Sequence, residues 1–154
     1  FSNNFYLNHH QILVVKKNTF SDLCCMIDET YKYSEMTGQI IGLAMEVHKH
    51  LGNGFQEVIY QRALEFEFAK SQIKFDREFE MPILYRGENM GTRRVDFLIN
   101  KIISVEIKAV IQLEPVHLAQ AMNYLEAYNL EVGLLLNFGA QSLQIKRLLN
   151  RKKV

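Results

Sequence analysis

The feature that most constrains the fold of this sequence is a six-residue segment, residues 103–108, that reads I-S-V-E-I-K. Its apolar residues hold every second position, which is the pattern of a β-strand, because successive side chains point to opposite faces of a sheet. The apolar side chains therefore take one face, and Glu106 and Lys108 share the other. We predict a strand that presents a carboxylate and an ammonium group side by side.

The preceding apolar segment, residues 95–99, shows the same alternation. Val95, Phe97 and Ile99 would occupy one face, which places Asp96 on the opposite face. Because the connection to the next strand is short, we expect the two strands to pair as a hairpin. Asp96 can then lie across from Glu106.

The three charged groups allow two interpretations. Charged groups in an apolar sheet are costly to bury unless they pair or bind an ion. Two carboxylates on adjacent strands would form an oxygen site suited to Mg²⁺ or Mn²⁺, and a neighbouring lysine could orient the water that attacks a phosphodiester. The alternative is a solvent-exposed pair of charges, since Glu-x-Lys is a common pattern. From these residues alone the two interpretations are about equally supported.

Hydrophobic periodicity and turn residues predict the other elements. Thr37 can cap a first helix, which a Gly-Asn-Gly sequence ends after about residue 51. A second helix should cover about 55–71, with an apolar stripe of Phe55, Ile59, Ala63 and Phe66. The remaining elements are strands at 74–85, 90–99 and 102–109, a helix at about 115–128, and strands at 132–138 and 143–149.

The order α-α-β-β-β-α-β-β predicts an α/β fold with a mixed β-sheet flanked by helices, because a hairpin meander precedes a helical crossover. The chain has 154 residues and no internal repeats, so we expect one domain, over residues 37–149. Residues 1–36 would be an N-terminal extension, with residues 1–25 either native upstream sequence or an addition to the natural chain. Residues 150–154 would be a basic tail, either solvated or in contact with phosphate.

Composition narrows the class of protein. No apolar run approaches the roughly 20 residues that span a bilayer, and we find no signal peptide, so we expect a cytoplasmic protein. The formal net charge of +1 argues against a strongly basic coat for nucleic acid, although charge can be local. Cys24 and Cys25 are the only cysteines, and they supply neither a disulfide framework nor a Cys-rich zinc site.

Residues 54–60 read G-F-Q-E-V-I-Y and resemble the G-x-x-E-x-x-Y signature of the bacterial GxxExxY protein family. The resemblance extends over roughly residues 37–149, and other matching segments lie at 46–52, 94–96, 105–109 and 133–139. That family belongs to the PD-(D/E)xK nuclease superfamily. The resemblance therefore implies a restriction-endonuclease-like fold.

The resemblance also implies roles for individual residues. Asp96, Glu106 and Lys108 match the D…(D/E)xK residues of the superfamily, with Val95 in the place of the proline that precedes the aspartate. Glu57 matches an additional acidic residue from the helix before the sheet, although a solvated glutamate is the alternative. The catalytic residues would be these four charged residues, and the metal ligands would be Asp96, Glu106 and Glu57.

Gln120 and Tyr124 form a Q-x-x-x-Y sequence similar to the motif that follows the catalytic lysine in RecB-like exonucleases. Four residues apart on a helix, they could hydrogen-bond the lysine and a DNA phosphate or base, although an ordinary amphipathic helix explains them nearly as well. Arg94 should share the face of the aspartate two residues later and either contact phosphate or pair with a carboxylate. Tyr60, on the helix face of the GxxExxY glutamate, completes the predicted nucleic-acid contacts.

These expectations together describe a hydrolase, a Mg²⁺- or Mn²⁺-dependent nuclease whose partner is nucleic acid, with DNA as the expected substrate and no membrane. The first alternative is a catalytically silent nuclease fold that binds nucleic acid or protein as an adaptor. The second is a structural protein whose charges form a buried network. Pairing of edge strands would give a homodimer.

Overall fold

The computed structural model describes residues 32–150. The order of elements in this part of the chain is the predicted α-α-β-β-β-α-β-β. The elements are α1 (Ser34–Leu51), α2 (Glu57–Lys70), β1 (Phe75–Tyr85), β2 (Glu88–Ile99), β3 (Ile103–Lys108), α3 (Pro115–Ala127), β4 (Val132–Asn137) and β5 (Gln144–Leu149).

The strands form one mixed sheet in the order β1-β2-β3-β4-β5. β1, β2 and β3 are antiparallel neighbours, which fits their short connections. α3 then crosses from β3 to the parallel strand β4, and β5 returns antiparallel to β4. The predicted α/β fold with a mixed sheet flanked by helices is confirmed.

Helices cover both faces of the sheet. α1 and α2 pack on the face formed by the apolar positions of β3, as the alternation predicts, and α3 packs on the opposite face. Burial of these apolar side chains is the main favourable contribution to folding. The first layer includes Ile40, Ala44, Leu64, Phe97, Val105 and Ile107, and the second includes Ala121, Leu125, Leu135 and Leu148.

The start of α1 differs from the prediction. The helix begins at Ser34, and Tyr33 holds the N-cap position. Thr37 lies inside the helix, where its hydroxyl lies within hydrogen-bond distance of the backbone oxygens of Tyr33 and Ser34. The predicted Thr37 cap is therefore wrong, because its hydroxyl bonds back to the preceding turn instead of capping the helix.

The predicted apolar stripe of α2 is also wrong. Phe55 precedes the helix and is 49% exposed, and Phe66 is 64% exposed. The helix instead buries Tyr60, Leu64 and Phe68, which are spaced four residues apart. Tyr60, Leu64 and Phe68 are fully buried in the core, so packing against the sheet selects this stripe although the other one also contains two aromatic rings.

The predicted alternation in β2 fails at one position. Phe97 packs with α1 and α2 as predicted, but Val95 packs on the opposite side, against two tyrosines at the end of α3. On β1, Arg77 pairs with Phe97 and Phe79 pairs with Val95, and Glu78 between them has a positive φ of 52°. The strands are thus irregular around Asp96, which lies between Val95 and Phe97.

Some predictions fall outside the described residues. The predicted N-terminal extension lies outside them up to residue 31, and the basic tail does so from residue 151. Among residues 32–150, no helix has the length and apolar character needed to cross a membrane.

Candidate active site

Asp96 lies where β2 and β3 stop pairing. The β2–β3 ladder joins three residue pairs and ends at Phe97 and Val105, while β2 continues alongside β1. Oδ2 of Asp96 accepts a hydrogen bond of 2.7 Å from the backbone N–H of Ile107. The carboxylate therefore occupies the space between the two strands. We call this opening, formed by residues 94–96 and 106–108, the β2–β3 fork.

Glu106 and Lys108 lie side by side on β3, as their spacing predicts. Nζ of Lys108 is 3.2 Å from Oε1 of Glu106, and the two side chains are only 16% and 10% exposed. Oε2 of Glu106 is buried and has no hydrogen-bond partner among residues 32–150. The pair is therefore not the solvent-exposed pair that the sequence left open.

Burial dominates the electrostatics of the β2–β3 fork. Burial, followed by the charge of Asp96, raises the pKa of Glu106 to about 7, against the opposing effect of Lys108. Burial also raises the pKa of Asp96, although the N–H of Ile107 and the charge of Lys108 oppose this. Burial alone would lower the pKa of Lys108, but Glu106, Glu57 and Asp96 together raise it. Negative charge is therefore in excess and poorly solvated, and a bound cation would offset it.

Glu57 joins the start of α2 to the end of β3. Its Oε1 accepts a hydrogen bond of 3.3 Å from the backbone N–H of Ala109, the residue after Lys108. An open cleft of about 490 Å³ lies beside this contact. The cleft is lined by Gln56, Glu57, Val58, Gln61, Glu78, Arg94 and Ala109.

Gln61 is a site residue that the sequence analysis missed. Its Nε2 donates a hydrogen bond of 2.5 Å to Oδ1 of Asp96. Gln61 follows Glu57 by four residues and so lies on the same face of α2. A polar stripe at positions 57, 61 and 65 is visible in the sequence and would have indicated a face directed at a polar site.

Asn137 is a second residue that the sequence analysis missed. It ends β4 beside Lys108 in the parallel ladder, and it is fully buried. Its Oδ1 accepts hydrogen bonds from the N–H groups of Val110 and Gly139, at 3.0 and 3.1 Å. Its Nδ2 donates to the backbone oxygen of Val110 and to the side chain of Gln144, both at 2.8 Å. Asn137 therefore anchors the segment that follows the lysine.

Two predicted nucleic-acid contacts are buried instead. Tyr60 is 0% exposed, stacks on Phe138 with ring centroids 4.6 Å apart, and donates its hydroxyl to the backbone oxygen of Gly52. Tyr124 is 6% exposed and donates its hydroxyl to the backbone oxygen of Arg94 at 2.6 Å. Both rings serve packing, and both hydroxyls bond the backbone, which is how buried tyrosines are satisfied. The contact of Tyr60 and Tyr124 with nucleic acid stays a prediction, which would require these buried side chains to become accessible.

The other two predicted contacts have different surroundings. Nη2 of Arg94 lies 3.6 Å from Oε1 of Glu78, and both side chains are about half exposed in the cleft. The sequence predicted that Arg94 would contact either a phosphate or a carboxylate, and in the structure it pairs with the carboxylate of Glu78. Gln120 is half-buried on α3, and its amide makes no hydrogen bond to any residue from 32 to 150. The predicted bond between Gln120 and Lys108 is therefore absent from the described residues.

The predicted metal ligands are only partly gathered. Within residues 32–150, no group of three or more His, Cys, Asp or Glu side chains is arranged to hold a metal ion. Asp96 and Glu106 nevertheless fit a divalent cation, because they are hard oxygen donors in a buried site. The buried Oε2 of Glu106, which lacks a hydrogen-bond partner there, is an oxygen that such a cation would satisfy.

The fold and the site together define an α/β protein with a buried glutamate, a half-buried aspartate and a lysine around the end of a central strand. Residues 34–148 match the PD-(D/E)XK nuclease superfamily. Because this match covers well over half of the sequence, the chain belongs to that superfamily. Its mixed sheet with flanking helices is consistent with the restriction-endonuclease-like fold.

A solved structure supports the fold alone. The chain is similar to the protein in the crystal structure of SSO0001, with a TM-score of 0.50 and 17% sequence identity. The similarity covers 77% of this chain and 60% of that one, so the chain spans less than two thirds of the length of that relative. No curated protein matches the sequence significantly.

Proposed function

We propose that this protein hydrolyses phosphodiester bonds of nucleic acid, with DNA as its substrate, in a reaction that requires Mg²⁺ or Mn²⁺. Its membership in a nuclease superfamily supports the reaction class. The observation that carries the proposal is the buried Oε2 of Glu106, which lies beside Asp96 and Lys108 and has no hydrogen-bond partner in the described part of the chain. A buried carboxylate oxygen without a donor is costly unless a cation binds it.

Each charged residue of the β2–β3 fork has a separate role in this proposal. Asp96 and Glu106 would hold the cation, and a bound divalent cation supplies Lewis-acid stabilisation of the charge that develops on phosphoryl oxygens. Lys108 acts as a hydrogen-bond donor, because its raised pKa keeps its Nζ protonated near neutral pH. Lys108 would orient the attacking water and stabilise the transition state.

The cleft beside the β2–β3 fork would receive the nucleic acid. Arg94 lines it, and its guanidinium could exchange Glu78 for a phosphate, because guanidinium groups bind both anions. Glu57 lines the same cleft and remains our candidate for an additional acidic residue of the site. Gln120 remains a candidate contact for nucleic acid on α3.

We further propose that the protein is a member of the GxxExxY family and acts in the cytoplasm. The signature glutamate, Glu57, begins α2 and bonds the end of β3, and the signature tyrosine, Tyr60, holds the preceding loop through Gly52. We propose residues 37–149 as the catalytic domain, with residues 1–36 as an extension and 150–154 as a basic tail. We propose separately that the protein forms a homodimer, and light scattering tests this by measuring its mass in solution.

Replacement of Asp96 or Lys108 by alanine should abolish divalent-ion-dependent cleavage, because each variant loses a charge that the reaction needs. The measurement is cleavage of single-stranded DNA, double-stranded DNA and RNA with Mg²⁺ or Mn²⁺, with thermal unfolding to verify the fold. Asp76→Ala and Lys70→Ala make the same changes outside the site and should cleave normally. Undiminished cleavage by both site variants would refute the proposed function.

One observation favours a second candidate, the adaptor that binds nucleic acid or protein without cutting it. Residues 32–150 gather no group of three or more metal-ligating side chains of the His, Cys, Asp and Glu types. A ligand that binds only the folded state raises the melting temperature. A nuclease should therefore melt at a higher temperature with Mn²⁺, and an adaptor without a cation site should not respond.

A further inference from the structure

Three polar residues of α2 and β1 form a hydrogen-bonded series that ends on Asp96. Nη1 of Arg77 lies 2.5 Å from Oε2 of Glu65, and Nη2 of Arg77 donates to Oε1 of Gln61 at 3.5 Å. Nε2 of Gln61 in turn donates to Oδ1 of Asp96. The series therefore runs from a carboxylate near the middle of α2, through β1, to the β2–β3 fork.

The orientation of the Gln61 amide follows from its neighbours. An arginine side chain can only donate hydrogen bonds, so the amide oxygen must face Arg77. The NH₂ group must then point the other way, towards Asp96, which can only accept while it is ionised. Arg77 is itself held by the ion pair with Glu65. The direction in which the Gln61 NH₂ group points, towards Asp96, therefore depends on Arg77 and Glu65.

Asp96 is thereby held through both of its oxygens. Oδ1 accepts from Gln61 on α2, and Oδ2 accepts from the backbone of Ile107 on β3. Each carboxylate oxygen has more than one lone pair, so each keeps capacity for a further ligand. A carboxylate that is held at both oxygens loses less conformational entropy when it binds a cation than a freely rotating one does.

We propose that Gln61 is a positioning residue, which holds the Asp96 carboxylate in the orientation that binds the cation, and that Arg77 and Glu65 hold Gln61. This inference rests on the proposed function, since it assumes that Asp96 is a cation ligand. Gln61 also lines the cleft, so a direct contact with substrate is the competing role that a test must separate.

The test is titration of the full chain with Mn²⁺ in the absence of nucleic acid, in which electron paramagnetic resonance measures the concentration of free Mn²⁺. Gln61→Leu should weaken Mn²⁺ binding by about 10–100-fold, which is the usual effect of losing a partner of a metal ligand. In cleavage assays at subsaturating Mn²⁺, kcat should fall while KM for DNA stays the same. A rise in KM with unchanged Mn²⁺ affinity would show direct substrate contact and overturn the proposal.

Two further variants keep the test decisive. Glu65→Gln leaves Asp96 and Gln61 in place but weakens the hold on Arg77, so it should reduce Mn²⁺ affinity in the same direction by a smaller factor. It also serves if Gln61→Leu does not fold. Gln141→Leu makes the same substitution at an exposed loop position and should bind Mn²⁺ normally.

The outcomes separate this inference from the function on which it rests. If the unmodified protein binds Mn²⁺ and the variants Gln61→Leu and Glu65→Gln bind it equally well, the positioning role is overturned while the proposed function stands. Lower thermal stability with unchanged Mn²⁺ affinity would likewise leave only a structural role for the series. If the unmodified protein binds no Mn²⁺, the proposed function fails and the inference fails with it.

Discussion

At the scale of single residues, Glu106 carries the largest conflict between burial and charge. One of its oxygens bonds Lys108, the other has no hydrogen-bond partner among residues 32–150, and the neighbouring charge of Asp96 is repulsive. The folded protein without a cation therefore holds the proton of Glu106 more tightly than the unfolded chain does. This conflict makes the stability of the cation-free protein sensitive to pH.

Glu106→Gln should flatten the pH dependence of stability in EDTA. The carboxyl has an ordinary pKa of 4.5 and a folded-state pKa of about 7. Between these values the folded state holds a proton that the unfolded chain has lost, so stability falls as pH rises through this window. The loss attributable to Glu106 is on the order of 3 kcal/mol, and it levels off above pH 7.

Urea unfolding at pH 5 and pH 8 measures this effect. The unmodified protein should lose more free energy of unfolding between the two pH values than Glu106→Gln does, and the raised pKa of Asp96 should leave part of the fall in both. Glu35→Gln, at an exposed position of α1, is the matched control. Equal losses in the unmodified protein and Glu106→Gln would contradict the burial that we describe.

At the scale of elements, the position of Lys108 depends on where β4 ends. Asn137 bonds the segment after β3 through both atoms of its amide. Gly139 approaches that segment so closely that a Cβ at this position would lie 2.4 Å from the backbone of Ala109 and Val110. The end of the parallel β3–β4 pair is therefore tightly determined.

Asn137→Ala should destabilise the protein by about 2–4 kcal/mol, because it removes a fully buried amide and leaves several partly buried N–H and C=O groups without this partner. Thermal or urea unfolding measures the change. Asn123→Ala, on the exposed face of α3, is the matched control and should change stability far less. A loss no larger than that of the control would mean that water replaces the amide.

Some elements of the fold were predictable from the sequence, and others were not. Strand ends were predictable because apolar alternation and turn residues are local signals, and the pairing of Glu106 with Lys108 followed from strand parity alone. The face of α2 was not predictable from its apolar residues, because two overlapping stripes compete and tertiary packing selects one. The polar stripe that contains Gln61 is visible in the sequence, but its contact with Asp96 is not, because that contact spans 35 residues of sequence.

At the scale of the whole molecule, the site lies at a seam. On one side is the β1–β2 ribbon, which pairs with β3 through only three residue pairs. On the other side are β3, β4 and β5. The short ladder and the hydrogen bond from Ile107 to Asp96 cross the seam directly. From the layers on the two faces of the sheet, Tyr124 and Tyr128 also bond backbone oxygens of β2, and Gln61 bonds Asp96. Asp96 belongs to the ribbon, and Glu106 and Lys108 belong to β3.

Asp96→Asn and Asp96→Ala should both lose Mn²⁺ binding, and Asp96→Asn should lose less stability than Asp96→Ala. Asparagine keeps an oxygen that can accept from the N–H of Ile107, although its NH₂ group then faces the NH₂ group of Gln61. Alanine leaves the buried N–H of Ile107 without its partner, at a cost of about 1–3 kcal/mol. Thermal unfolding and Mn²⁺ titration measure the two effects separately. Strong Mn²⁺ binding by Asp96→Asn would contradict the role of Asp96 as a charged ligand.

The bond between Asp96 and Ile107 also has a consequence for the sheet itself. In an uninterrupted ladder, a backbone carbonyl of β2 would take the N–H that the carboxylate now holds. The Asp96 carboxylate thus takes the place of a β2 carbonyl at the point where the β2–β3 ladder ends. A side chain too short to reach that N–H removes the partner of this donor and the charge of the β2–β3 fork together. Asp96 therefore both completes the hydrogen bonding at the end of the ladder and supplies a carboxylate of the site.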